Sequence, residues 1–201
     1  MDKQELIASL AKRGFSPKIL EAFEKVKRED FVLQNMKSLA YADIALPIGF
    51  NQTISQPYTI AVMLSLLKLK QGQDVLEVGS GSGYVLALMS EIVGEAGKVF
   101  GVELVQKIAD KSRNILKHYS DIELFNRDGR IGLPEKAPFD RILISAACME
   151  IPEALTEQLK EGGILVAPIG ELDQAISQFK KEDSSLNMLK EIPGFVFVRF
   201  V

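Results

Sequence analysis

The stretch Asp74-Val-Leu-Glu-Val-Gly-Ser-Gly-Ser-Gly-Tyr84 constrains this chain more than any other. A short apolar run breaks into glycines at alternate positions, and helix-forming residues continue to Val93. The pattern predicts a buried strand, a tight turn and a helix, with Gly79, Gly81 and Gly83 supplying backbone freedom that a side chain would forbid. Turns of this kind seat nucleotide cofactors, although plain turns and dinucleotide-binding strands use glycine as well. Spacing separates the cases. G-x-G-x-G followed directly by an aromatic is not the G-x-G-x-x-G fingerprint that sets a pyrophosphate on a helix N-terminus.

Two later residues extend the argument. Lys98 to Leu104 reads as a second strand, and Glu103 falls about twenty residues beyond the glycines, where a doubly wound fold sets a carboxylate against ribose hydroxyls. The third strand, Ile122 to Asp128, ends in Asp128-Gly129, a short acceptor and a flexible residue suited to an adenine edge. No arginine near Glu103 is placed to take a 2′-phosphate, so an adenosine cofactor without pyrophosphate fits best, namely S-adenosyl-L-methionine. The competing reading is structural: glycines make ordinary turns, and strand-end acids cap helices. Three such features in register favour the cofactor.

Strands at 74–79, 98–103, 122–127, 140–146 and 164–169 alternate with helices at 84–93, 105–118 and 152–160. This predicts an α/β chain with a doubly wound, mostly parallel sheet and helices on both faces. Glu161-Gly-Gly163 reads as the hinge before the strand at 164–169. Past Gly170, Gln174 to Lys181 and Phe195 to Val201 read as antiparallel edge strands joined through Pro193-Gly194. Helices at 2–13 and 17–27, the second opened by Ser16-Pro17, each carry one apolar face and form an N-terminal cover. Residues 31–56 lack periodicity, and Pro57 opens an apolar helix to Leu69. Ser55 and Gln56 then lie at its N-terminus, where free N–H groups and the helix dipole favour an anion, or where Ser55 merely caps. A single domain is expected, divided into 1–56, 57–170 and 171–201.

With 201 residues, 47% hydrophobic and 25% charged, the chain can fill one core. A net charge of −3 lacks the basic footprint of a nucleic-acid binder. Cys148 has no internal disulfide partner, charges interrupt Met1 to Arg13 where a signal peptide would be apolar, and no apolar run approaches the roughly twenty residues that cross a bilayer. The expectation is a cytoplasmic monomer that engages neither nucleic acid nor membrane. His118, near a helix end, reads as a capping residue, and no cluster has metal-ligand spacing.

Several stretches together carry a family resemblance: Val26-Lys-Arg-Glu-Asp-Phe31, Tyr41-Ala-Asp-Ile-Ala-Leu-Pro-Ile-Gly49, Gln52-Thr-Ile-Ser-Gln-Pro57, Val75 to Tyr84, Phe139-Asp-Arg-Ile142 and Val198-Arg-Phe-Val201. In this order they resemble the protein-L-isoaspartate O-methyltransferases over nearly the whole chain. The glycine turn is common to class I methyltransferases, whereas the QTIS stretch is specific to this family. The resemblance implies methyl transfer from S-adenosyl-L-methionine to the α-carboxylate of an L-isoaspartyl residue in a damaged protein, leaving S-adenosyl-L-homocysteine. The ester then cyclises to a succinimide, whose hydrolysis returns some aspartate.

Carried over by position, the resemblance makes Ser55 the catalytic residue and gives Thr53, Ser55 and Val198 to the substrate. Ile54, Gln56, Pro57 and Tyr58 would border the cofactor. Glu77, Gly79, Ser80, Gly81 and Gly83 would hold its amino-acid part, Glu103 and Leu104 the ribose, and Asp128 and Gly129 the adenine. It also implies that the last two strands are exchanged relative to the usual sheet of the class. Asn51 replaces a customary glycine, Cys148-Met149 replaces an Ala-Pro pair, and the chain ends at Val201 where relatives usually continue, which predicts a trimmed substrate groove. A carboxylate with a pKa near 4 is ionised at neutral pH and needs no general base, so Ser55 would orient the acceptor and catalysis would rest on alignment. The rivals are a methyltransferase for a small molecule or another carboxylate, a non-catalytic cofactor-binding module, and an NAD-dependent oxidoreductase. Glycine spacing and the missing proton relay disfavour the last.

Overall fold

The computed structural model describes residues 1–200. Its centre is strand β3 (Asp74–Val78), which pairs in parallel with β4 (Lys98–Glu103) on one side and β6 (Phe139–Ile144) on the other. Beyond these lie β5 (Ile122–Asn126) and β7 (Leu159–Ile169), both parallel, and then β8 (Gln174–Glu182) and β9 (Ser185–Phe195), both antiparallel. The sheet order is β5-β4-β3-β6-β7-β8-β9, so the last two strands add in chain order and β9 forms the edge.

Alternation along the strands divides the core. Val75, Val99, Leu143 and Val166 face one side, while Leu76, Phe100, Ile142 and Leu165 face the other, as the period of two in a pleated strand requires. Both faces are apolar because both are covered. The first packs under α3 (Pro57–Leu67), α4 (Tyr84–Val93) and α5 (Gln106–Leu116). The second packs under α6 (Glu153–Gln158) through Leu155. Helices α1 (Lys3–Lys12) and α2 (Pro17–Lys25) add Leu6, Leu10, Ile19 and Phe23 to the first core, with Phe23 edge-on to Tyr84 at 6.2 Å. The N-terminal cover is therefore continuous with the main core.

Three expectations require correction. The supposedly irregular 31–56 contains a hairpin, β1 (Leu46–Gly49) and β2 (Gln52–Ile54). Its turn residues Phe50 and Asn51 have φ of 54° and 57°, the double left-handed conformation of a two-residue hairpin turn. Asparagine tolerates that region, which explains how Asn51 stands in for glycine.

The final strand is β9, not Phe195–Val201. Its link to β8 is Asp183-Ser184, with φ of 51° and 63°. Most of β9 is exposed, so it lacks the apolar alternation that marks a half-buried strand. Pro193-Gly194 lies within β9, opposite a register shift at Gln174/Ala175, and proline is tolerated on an edge strand. Residues 196–200 instead turn back to bridge Arg199 with Ala147, and Val201 lies outside the described residues. Finally, Glu161-Gly-Gly163 is part of β7 rather than a hinge before it.

Candidate active site

The turn after β3 is built from its glycines outward. Gly79, Gly81 and Gly83 have φ of 78°, 51° and 83°, and a Cβ on Gly83 would lie 2.7 Å from Leu116 Cδ1. Backbone N–H groups of Gly79 and Ser80 donate to Val102 O at 2.8 and 3.1 Å. Glu103, at the end of β4, accepts from Gly81 N at 2.9 Å and from Val105 N at 2.8 Å. The carboxylate expected at the ribose thus also holds the turn. Each of its oxygens has a further lone pair for a hydroxyl donor.

Glu77 lies one layer deeper, 1% exposed, and Ser145, just past β6, donates its hydroxyl to Glu77 Oε1 at 2.6 Å. Glu77 Oε2 and the buried Ser80 Oγ have no partner among the described residues. Burial pushes the Glu77 carboxyl up to about 8; the Ser145 bond opposes that rise and the neighbouring Glu103 adds to it. Orphaned buried polar atoms beside a glycine cradle call for a ligand with its own polar groups. The amino-acid part of S-adenosyl-L-methionine has such groups, so these residues fit the cofactor.

Two cavities open here. The narrower, about 70 Å³, lies over the turn between Gly79, Gly81, Glu103 and Leu104 on one side and Gly129 and Phe200 on the other. A Cβ on Gly129 would lie 2.3 Å from Val78 Cγ1 and 3.1 Å from the Phe200 ring. Asp128 is not part of this wall. Its carboxylate accepts from Arg130 Nη2 at 2.6 Å and from Arg130 N at 2.9 Å, and those bonds hold its pKa below the usual range. To reach an adenine edge it would have to give up part of that pairing.

The wider cavity, about 730 Å³, is bordered by Ser55, Gln56, Tyr58 and Thr59 and by the chain from Ile192 to Val198. Thr53, Ser145 and Val198 border both cavities, so the two meet there. Val198, expected at the substrate, thus borders both cavities, and Arg199 and Phe200 border the narrow one. Ile54 is buried in the core and Pro57 is buried in the first turn of α3, and neither borders either cavity. Ser55 does not cap α3. The N-cap is Gln56, without a side-chain cap bond, and the helix start is held from a distance by Asp43 Oδ1, which accepts from Tyr58 N at 2.8 Å.

Sequence reasoning passed over Asp43, Ser145 and Arg28. Arg28 is 0% exposed and donates from Nη1 to Ser55 O at 2.9 Å. Arg28 and Asp43 lie in stretches that carry the family resemblance, but periodicity and spacing give neither them nor Ser145 a role, because each acts on a partner at least fifteen positions away in the chain. Among the described residues no group of acids, histidines or cysteines could hold a metal ion, and no helix is long and apolar enough to cross a membrane.

The sequence signature described as Protein-L-isoaspartate(D-aspartate) O-methyltransferase (PCMT) spans residues 1–201. The chain belongs to this family. It is 41% identical over 198 residues to the protein-L-isoaspartate O-methyltransferase of Methanococcoides burtonii, covering 98% of each chain. Among solved structures, a protein-L-isoaspartate O-methyltransferase superposes with a TM-score of 0.91 at 33% identity; the match covers 98% of this chain and 65% of that longer one. A putative family member from Plasmodium falciparum, solved in complex with S-adenosyl-L-homocysteine, superposes with a TM-score of 0.86 and covers 100% and 99% of the two chains. At 24% identity it bears on the fold alone. The α/β sheet of the family is the one described above.

Proposed function

We propose that this protein is a repair enzyme that methylates the α-carboxylate of L-isoaspartyl residues in damaged proteins. S-adenosyl-L-methionine is the methyl donor. The observation that carries the reading is the junction of the two cavities at Thr53, Ser145 and Val198, beside Ser55. A donor held over the glycine turn and an acceptor held in the wide cavity would meet there.

When bound, S-adenosyl-L-methionine supplies an electrophilic methyl group on a sulfonium. Glu103 and Leu104 would hold the ribose, Gly79 and Gly81 would admit the backbone of the amino-acid part, and Glu77 with Ser145 would answer its ammonium. Gly129 would border the adenine, and Asp128 would reach it only by giving up part of its pairing with Arg130. The acceptor arrives as a carboxylate, so no residue has to remove a proton. Ser55 would donate a hydrogen bond to the acceptor carboxylate, and Thr53 and Val198 would flank it where the two cavities meet. Positioning of this kind can account for several kcal/mol of the barrier.

A peptide gripped through its main chain along Phe195 to Val198 would follow one path whatever its neighbouring side chains. Only a carboxylate at the isoaspartyl position would then reach the junction. We further propose that residues 1–201 act as one domain and as a monomer in the cytoplasm, on proteins rather than nucleic acids. The net charge of −3 and the single buried cysteine support this reading. The test is methyl transfer to matched isoaspartyl and aspartyl peptides of varied flanking sequence. The expected result is ester on the isoaspartyl peptides and little on the others. Equal rates on both, or activity confined to a small carboxylic acid, would move the protein to another substrate class.

A further inference from the structure

A buried cation lies beneath Ser55. Arg28, in the 3-10 turn Arg28–Asp30 that follows α2, is 0% exposed. Burial lowers its pKa to about 10, and it still carries its charge at neutral pH. Its hydrogen-bond partners are carbonyls rather than carboxylates: Nη1 donates to Ser55 O at 2.9 Å and Nη2 to Ile44 O at 3.2 Å. The guanidinium carbon stands 5.4 Å from the centre of the Tyr84 ring, and Nε has no partner among the described residues. A buried charge without direct ionic pairing is costly to maintain. Packing alone would be served by an apolar residue of similar size.

The two carbonyls belong to segments that border the acceptor cavity. Ile44 precedes Ala45 in its wall, and Ser55 is itself part of the wall. Asp43, next to Ile44, holds Tyr58 N and is paired with Arg13 Nη1 at 3.3 Å. The corner Ser55-Gln-Pro-Tyr58 is therefore fixed at both ends, at the Ser55 carbonyl by Arg28 and at the Tyr58 N–H by Asp43. Four residues held at both ends have little freedom to turn. A fixed backbone fixes the Ser55 Cα–Cβ bond and limits the hydroxyl to the few staggered positions around it.

We infer that Arg28 is a positioning residue for methyl transfer, which acts by holding the Ser55 carbonyl so that the Ser55 hydroxyl meets the acceptor carboxylate at the cavity junction. The inference rests on the orienting role of Ser55 proposed above. It also explains why the cation is arginine. A planar fork reaches two carbonyls from different segments, whereas a lysine offers one point charge.

The test is a double-mutant cycle of Arg28→Lys and Ser55→Ala, reading kcat on an isoaspartyl peptide, Kd for S-adenosyl-L-homocysteine and thermal melting. Arg28→Lys is expected to lower kcat about tenfold or more, because small displacements at a reacting centre are costly. Cofactor affinity should stay within about twofold, since the narrow cavity is not touched. In the Ser55→Ala background the same change should cost little further kcat, the signature of two residues acting as one unit. A merely structural arginine would lower kcat equally in both backgrounds, and that result overturns the inference while leaving the role of Ser55 intact. Unchanged kcat for Arg28→Lys overturns it as well. Full activity of Ser55→Ala alone would refute the role of Ser55 itself and remove the route through which Arg28 acts. Should Arg28→Lys fail to fold, Arg28→Gln, which keeps one N–H₂ donor for a carbonyl and removes the buried charge, takes its place in the cycle under the same criteria.

Discussion

Glu103 accepts the backbone N–H of Gly81 at 2.9 Å, so one carboxylate fixes the glycine turn and faces the cavity where a ribose would lie. Its second oxygen accepts from Val105 N at 2.8 Å. Glu103→Gln keeps one acceptor oxygen and turns an amide N–H₂ toward a backbone donor. The variant should bind S-adenosyl-L-homocysteine more weakly by about 1.5–3 kcal/mol, the range for a hydrogen bond to a charged group, and should melt at a lower temperature. Calorimetry on the folded variant checks both effects. Unchanged affinity would take the ribose away from Glu103.

Glu77 makes stability depend on pH. Its folded pKa, pushed up to about 8, lies above the usual 4.5, so the folded state holds a proton that the unfolded state releases. That contribution is complete below the unfolded value and is lost as pH rises through the folded one. The cofactor-free protein should therefore weaken between about pH 5 and about pH 8, and Glu77→Gln should flatten this slope. Urea unfolding at a series of pH values measures it. Binding of S-adenosyl-L-homocysteine near neutral pH should release protons, because an ammonium beside Glu77 favours the ionised carboxylate. Titrations in buffers of different ionisation enthalpy would reveal them, and their absence would count against contact with the ammonium.

Gly129 leaves no room for a methyl group between Val78 and Phe200. Gly129→Ala should force the cavity wall apart, destabilise the protein by about 1–3 kcal/mol as overpacking does, and weaken cofactor binding. Thermal melts with and without S-adenosyl-L-homocysteine separate the two effects. A variant that binds normally would show that the adenine lies elsewhere.

Cys148 should be inert in the folded protein. It is 6% exposed, its Sγ donates to Pro168 O at 3.7 Å, and burial raises its pKa to about 11. The thiolate, the reactive form, is scarce at neutral pH. A disulfide reagent should titrate the thiol only after unfolding. Rapid reaction of the native protein would show that the thiol is accessible in the folded state.

By itself the sequence determined the elements whose signals are local. Strand 98–103 and helix 84–93 have the bounds read from pattern alone, and strand 74–79 is a residue shorter. The glycine turn was legible because only glycine adopts its φ values at no steric cost. The last strand was not, because an exposed edge carries no apolar alternation and Pro193-Gly194 imitates a turn. Only the tertiary structure decided that Ser145 bonds Glu77, that Asp43 rather than Ser55 holds the start of α3, and that Arg28 reaches Ser55. These bonds join residues 15 to 68 positions apart, a separation over which hydrophobic periodicity carries no information. The meeting of the two cavities has the same origin. Thr53, Ser145 and Val198 come from a hairpin, a strand end and the chain's last segment, and only the packing of the sheet brings them together.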